Sequence, residues 1–424
     1  MNTQTRQDDL QVAPPRHIAN VRAQAKLSGA AADMMNSVAS NAAAAEITAW
    51  PGYAPTPVVP LPGLALVAGV AEVFYKDEAH RFTLGSFKAL GGAYAVLRVL
   101  QGRLSSAGHD GVSAKDLINC AHRNLVEQMT VACATDGNHG RSVAWGAQMF
   151  GCQCRIYIHE NVSADREAGI ANYGATVVRL EGDYDASVRA CAVDAETNGW
   201  TLVADTNAGG GPADIPVLVT QGYTIIVREL LNQLGKAPTH VFIPAGVGGL
   251  AAAVSGYWTA QGPRPRMIVV EPHNADCVFR ALRDGEPTHS DGDVNSFMAC
   301  LSAGEVSPAA WLVLEQAVDD VVTISDADAR ATMCALADGT FGDVPLVSGE
   351  SGCAPAAALV GSANIRAALG LDATSRVVLI GSEGATAPEL WASVTGRSPA
   401  SVACEGRQYR GNPRTDQPVN INKE

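Results

Sequence analysis

What most constrains this chain is a repeated punctuation: a short apolar run, a loop of glycine and small polar residues, then an amphipathic run. AEVFYKDE, TVACAT, CRIYIH, TVVRL, TLVAD, HVFIPA, RMIVVEP and RVVLIGSE are the apolar runs. Their length and β-branched content predict strands, and the helical periodicity between them predicts helices. Such alternation gives a mainly parallel sheet covered on both faces, an α/β fold. In NVSADREAGIANYGA, Ser163 is a candidate helix N-cap and Gly174 a candidate stop. Ligands of open α/β sheets bind beyond the carboxyl ends of strands, where such loops gather.

Composition narrows the partners. Hydrophobic residues make up 47% of the 424 and charged residues 17%, enough for a core and too little charge for a disordered chain. The formal net charge of −13 opposes nucleic acid or an anionic membrane as the main partner. No run of 18 apolar residues reads as a membrane span, and MNTQTRQDDLQVAPPRH lacks the apolar core of a secretory signal. The ten cysteines form no CxxC, and there is no HExxH or spaced Cys/His quartet, so neither a disulfide framework nor a metal site is expected. A soluble cytoplasmic protein with reduced thiols is expected. Residues 1–20 and 405–424 are polar and expected to be loosely held.

Four junctions carry reactive or anion-binding residues. In KDEAHRFTLGSFKALGG, Lys88 opens a helix and is followed by Gly91 and Gly92. The positive end of a helix dipole lowers a lysine pKa, and a neutral lysine amine forms Schiff bases with aldehydes. The paired glycines let another body approach closely. In TVACATDGNHGRSVAW, bare N–H groups suit a carboxylate, Asn138 can reach a ring hydroxyl, and Asp136 is a general base once desolvated. In PAGVGGLAAAV, Gly246, Gly248 and Gly249 leave backbone amides open to a phosphate. In RVVLIGSEGATAPE, Ser382 can hydrogen-bond a heteroaromatic nitrogen. Each alone is also an ordinary turn or helix cap.

Taken in order, with ADT…DIP…TQGY, VVEP…ADC and SGESG, these blocks resemble the fold-type II pyridoxal-phosphate enzymes, and in detail the diaminopropionate ammonia-lyases, from about residue 50 to 395. The resemblance implies a two-domain, three-layer α/β fold with pyridoxal 5'-phosphate between the domains and a homodimer. It implies that Lys88 carries the cofactor, that Asn138 meets its ring hydroxyl, and that Ser382 meets its ring nitrogen. The phosphate would lie on Gly246, Val247, Gly248, Gly249 and Leu250. Thr135, Asp136, Asn138 and His139 would surround an amino-acid substrate. Asp136 and Asp205 match the aspartates on either side of the Cα–H bond, each desolvated so that its pKa nears working pH. The implied reaction removes the β-amino group of D- or L-2,3-diaminopropionate, giving pyruvate and ammonia. A neutral serine at the ring nitrogen favours prompt β-elimination over long-lived carbanion chemistry.

The chain departs from that family at Asn207–Pro212, where three glycines replace an aromatic and acidic segment. This keeps other β-substituted substrates open: serine, threonine, hydroxyaspartate or an N-substituted diaminopropionate. A non-catalytic amino-acid sensor would leave Lys88 and both aspartates idle, and a nicotinamide dehydrogenase would leave Lys88 idle. Cys277 faces Ala303 at the position of a cysteine found in some members, with Cys300 three residues earlier, so a Cys277–Cys300 disulfide is not expected. Glu350 reads equally as pocket lining or helix cap, His139 as packing beneath its loop, and His80 and Arg81 as surface salt bridges. The expected units are 1–88 and 201–404 as a large domain, 89–200 as a small one, and 405–424 as a polar tail.

Overall fold

The computed structural model describes residues 15–135, 137–206 and 214–411. Eleven strands form two sheets among these residues. They are β1 (Arg16–Ala19), β2 (Val58–Pro60), β3 (Glu72–Asp77), β4 (Thr130–Ala134), β5 (Gln153–His159), β6 (Thr176–Leu180), β7 (Thr201–Leu202), β8 (His240–Pro244), β9 (Arg266–Pro272), β10 (Asp320–Ile324) and β11 (Arg376–Gly381). The larger sheet has the order β1-β10-β9-β8-β11-β3-β2, and the smaller β6-β5-β4-β7. Only the edge strands β1 and β2 pair antiparallel. β8 and β10 are buried along their whole length, as strands covered on both faces must be.

Three strands are absent from the sequence reading. β10 begins with Asp320, a charged residue that is buried between Arg266 at 2.6 Å and His17 at 2.8 Å. Residues 16–19, expected to be loose, form β1 because polar side chains hold them. Arg16 pairs with Asp276 at 3.0 Å, and Asn20 donates to the Glu315 and Val318 carbonyls at 2.9 and 2.7 Å. β2 is three residues long and ends in proline, too short for a periodicity to show. The smaller sheet ends at Leu202, and the helix Pro399–Gly411 runs through residue 405. Ser163 caps the helix Ala164–Ala171 by accepting from Arg166 N, and Gly174 lies three residues beyond its end in a left-handed turn.

Four helices position the site: α1 (Lys88–Ser106), α2 (Asn138–Phe150), α3 (Ile215–Tyr223) and α4 (Gly249–Gln261). α1 is enclosed by α2 and α3, and glycine sets the spacing. A Cβ on Gly92 would lie 2.4 Å from Ser142 Oγ, and one on Gly91 would lie 2.5 Å from the Tyr223 ring. The body that the paired glycines admit is therefore the two neighbouring helices. No helix of the described residues is long and apolar enough to cross a membrane, and no group of three His, Cys, Asp or Glu among them is arranged to hold a metal.

Candidate active site

A cleft of about 990 Å³ opens where the carboxyl ends of β4, β8 and β11 meet the start of α1. The chain reaches Lys88 through a constrained turn. Phe82 and Thr83 adopt left-handed φ of 49° and 61°, which costs non-glycine residues energy. Phe82 is held there by Trp145 and Trp50, at centroid distances of 4.9 and 5.8 Å. Arg81, expected at the surface, is fully buried. It donates to Glu78 at 2.9 Å and Glu229 at 2.6 Å, and Lys76 donates to the same Glu229 at 2.6 Å. Sequence could not show this, because Glu229 lies 148 residues from Arg81. His80 is exposed beside Asp77. Gly85 and Ser86 then join β11: Gly384 N donates to Gly85 O at 3.0 Å, and Phe87 N to Ser382 O at 3.1 Å. Lys88 is thereby fixed against the end of the central sheet.

Lys88 Nζ donates to Asp205 Oδ2 at 2.6 Å, with both side chains about four-fifths buried. Burial alone would push the amine down, but the Asp205 charge outweighs it and holds Lys88 well above its usual range. A helix dipole is worth about 0.3–1 kcal/mol, whereas an opposite charge near 4 Å contributes about 4 kcal/mol at an effective dielectric of 20. The expected lowering of Lys88 is therefore reversed in the free protein. Asp205 shows the same balance: burial opposes its charge, yet the Lys88 charge holds it well below the carboxylate range. Asp205 is therefore ionised, and its pKa does not approach neutrality as expected. Removing the Lys88 charge would leave burial as its dominant influence.

His139 is buried beneath the loop. Its Nε2 lies 2.9 Å from the Val203 carbonyl, its Nδ1 lies 4.0 Å from Asp205 Oδ2 without a hydrogen bond, and burial pushes its pKa down. The neutral tautomer with the proton on Nε2 fits these contacts. Thr135 also lines the cleft, but its hydroxyl oxygen accepts from Gly137 N and Gly140 N, both at 3.2 Å, and so braces the loop. Asn138 Nδ2 reaches Glu383 Oε2 at 2.6 Å and Cys300 Sγ at 3.3 Å. Asp136 and the glycine-rich segment Asn207–Pro212 lie outside the described residues.

The opposite wall is an anion cradle. After β8, Gly246 packs so tightly that a Cβ would lie 3.0 Å from Cys300 O, and Gly248 has φ +94°. Gly248 stands at the N-cap of α4 with no side-chain cap, so the first-turn N–H groups remain donors for an anion. A Cβ on Gly249 would meet only the side chains of Thr220 and Tyr223, at 3.7 and 3.9 Å. Val247 and Leu250 complete this wall, and Ser382 stands at the end of β11. The buried Tyr223 hydroxyl has no hydrogen-bond partner among the described residues, and its ring packs edge-on to Phe87 at 4.6 Å.

An amine, an uncapped helix N-terminus, a strand-end serine and a cleft-facing amide thus fit the aldehyde, phosphate, ring nitrogen and ring hydroxyl of pyridoxal phosphate. Tyr223, Cys300 and Glu383 join the cleft without having been singled out; the TQGY and GSEG blocks contained two of them without a sign of their orientation. Glu350 is buried and is not among the residues that line the cleft, and the following helix has Cys353 at its N-cap position with no side-chain cap. Cys277 and Cys300 are both free thiols.

Comparison with known proteins agrees with this geometry. The family model described as pyridoxal-phosphate dependent enzyme matches residues 49–383. Diaminopropionate ammonia-lyase of Escherichia coli (strain K12) is 37% identical over 306 residues, 71% of this chain and 75% of that protein. That of Salmonella typhimurium (strain LT2) is 34% identical over 398 residues, 89% of this chain and 98% of that protein. The crystal structure of the Escherichia coli enzyme in complex with an aminoacrylate-PLP azomethine reaction intermediate matches with a TM-score of 0.80 at 30% identity, covering 91% of this chain and 97% of that one. The chain belongs to the fold-type II pyridoxal-phosphate-dependent enzymes and, within them, to the diaminopropionate ammonia-lyase family.

Proposed function

We propose that this chain is a carbon–nitrogen lyase that eliminates the β-amino group of D- or L-2,3-diaminopropionate through Lys88, Asp136 and Asp205. The observation that carries this reading is the Lys88–Asp205 pair, 2.6 Å apart in a cleft that also holds the uncapped start of α4 and Ser382. Pyridoxal phosphate, when bound, supplies the electron sink for the charge left at Cα. Gly246–Leu250 bind its phosphate, Ser382 its ring nitrogen and Asn138 its ring hydroxyl. Asp205 Oδ2 accepts the Cα proton on its side of the substrate, and Asp136 serves the other side. Lys88 Nζ holds a proton beside Asp205 and delivers it to the β-amine as the Cβ–N bond breaks. The released enamine hydrolyses in water to pyruvate and a second ammonia.

The domains proposed are 1–88 with 201–404, and 89–200, facing each other across the cleft; the enzyme would work as a cytoplasmic homodimer. The test is pyruvate formation, coupled to lactate dehydrogenase, from D- and L-2,3-diaminopropionate beside D- and L-serine. Rapid pyruvate from diaminopropionate, lost in Lys88→Ala, supports the reading. Faster turnover of serine than of either diaminopropionate overturns the named substrate.

A further inference from the structure

We propose that Glu383 is a positioning residue that holds the Asn138 amide as an obligate hydrogen-bond donor toward the cofactor ring. This rests on the reading of Asn138 as the contact of the ring hydroxyl. Glu383 is buried at 3% exposure beside Ser382, 245 residues from Asn138. Its Oε2 accepts from Asn138 Nδ2 at 2.6 Å, from Thr386 Oγ1 at 3.2 Å and from Cys300 Sγ at 3.3 Å, while Oε1 faces Ser351 N at 3.3 Å. The backbone is equally fixed. Gly349 N donates to Glu383 O at 3.0 Å, and a Cβ on Gly352 would lie 2.3 Å from that oxygen. The backbone that carries the carboxylate is thus held against residues 349–352.

A carboxylate accepts and does not donate, so it selects one of the two orientations of an amide. With the amide turned over, Asn138 Oδ1 would face Glu383 Oε2 across 2.6 Å with no proton between them. In this orientation Nδ2 donates to Glu383 Oε2, and Cys300 Sγ, a weak acceptor, lies 3.3 Å from both atoms. The second Nδ2–H is the one available to an oxygen of the ring. Near Glu383, the Glu350 carboxyl is buried with Oε1 unpartnered, and burial together with the Glu383 charge pushes its pKa up to about 7. Glu383 acts through Asn138 and is not itself a contact of substrate.

A double-mutant cycle on apo-protein reconstituted with pyridoxal phosphate tests this, reading the cofactor dissociation constant and the absorption bands of the bound cofactor. Glu383→Gln is expected to weaken cofactor binding by about tenfold and to shift the balance of visible and near-ultraviolet absorption. In an Asn138→Ala background the same substitution adds less than about twofold, because its route to the ring is gone. Equal effects in both backgrounds, or no effect in either, overturn the proposal. An Asn138→Ala protein that binds and absorbs like wild type overturns the Asn138 reading and the proposal with it. Should Glu383→Gln not fold, Glu383→Asp, which withdraws the charge from Asn138, runs through the same cycle under the same criteria.

Discussion

Two opposing influences meet on the Lys88 amine: burial, which discourages its charge, and Asp205 at 2.6 Å, which demands it. Each partner depends on the other, so changing one is read at both. Asp205→Asn is expected to lower turnover of one enantiomer of 2,3-diaminopropionate by at least about a hundredfold and leave the other within about threefold, because only one face of Cα loses its base. Equal losses for both enantiomers, measured by pyruvate release, would mean that Asp205 acts only by holding Lys88. The pair also has a stability signature. Lys88 is raised in the folded state and contributes until pH climbs through its folded pKa; Asp205 is lowered and contributes until pH falls through its own. Glu350 works in the other sense. Burial and then Glu383 raise it to about 7, so folding binds its proton and stability falls as pH rises from about 4 through 7. Relative to Glu350→Gln, wild-type protein should lose thermal stability across that interval, as calorimetry at several pH values can check.

Among the elements, glycine does two different jobs on α1. Ser142, which Gly92 admits beside it, donates to Lys88 O at 2.6 Å and accepts from Ala93 N at 3.2 Å, so α2 is locked to the first turns of α1. Gly92→Ala is expected to cost about 1–3 kcal/mol by overpacking. Gly102, on the same helix, has nothing within 4 Å of an added Cβ, and Gly102→Ala should stabilise by about 0.5–1 kcal/mol. Denaturant midpoints that move in the same direction for both would contradict this packing account. The elements most legible in the sequence were those whose local residues state their role: the buried parallel strands, the Ser163 cap and the bare glycines before α4. β1 and β10 were illegible because the contacts that hold them come from distant residues, as Arg16 of β1 pairs with Asp276 and the buried Asp320 of β10 with Arg266.

On the scale of the whole molecule, the cleft unites residues from 87 to 386 in sequence, and its order was readable because four strand-to-helix junctions each carried one part of the chemistry. Their pairing was not readable. Lys88 meets Asp205 across 117 residues and Asn138 meets Glu383 across 245, so the reversed lysine pKa and the carboxylate behind the asparagine emerge only once the two sheets face each other. Arg81 was misplaced for the same reason, since its counter-charge lies in another element. The central claim, elimination of a β-amino group, is read directly from its products. Ammonia and pyruvate should be measured together during complete turnover of 2,3-diaminopropionate by the holoenzyme, with Lys88→Ala as blank. Pyruvate with two ammonia for each, above the blank, is predicted; no pyruvate above the blank, or substrate consumed without pyruvate, would contradict it.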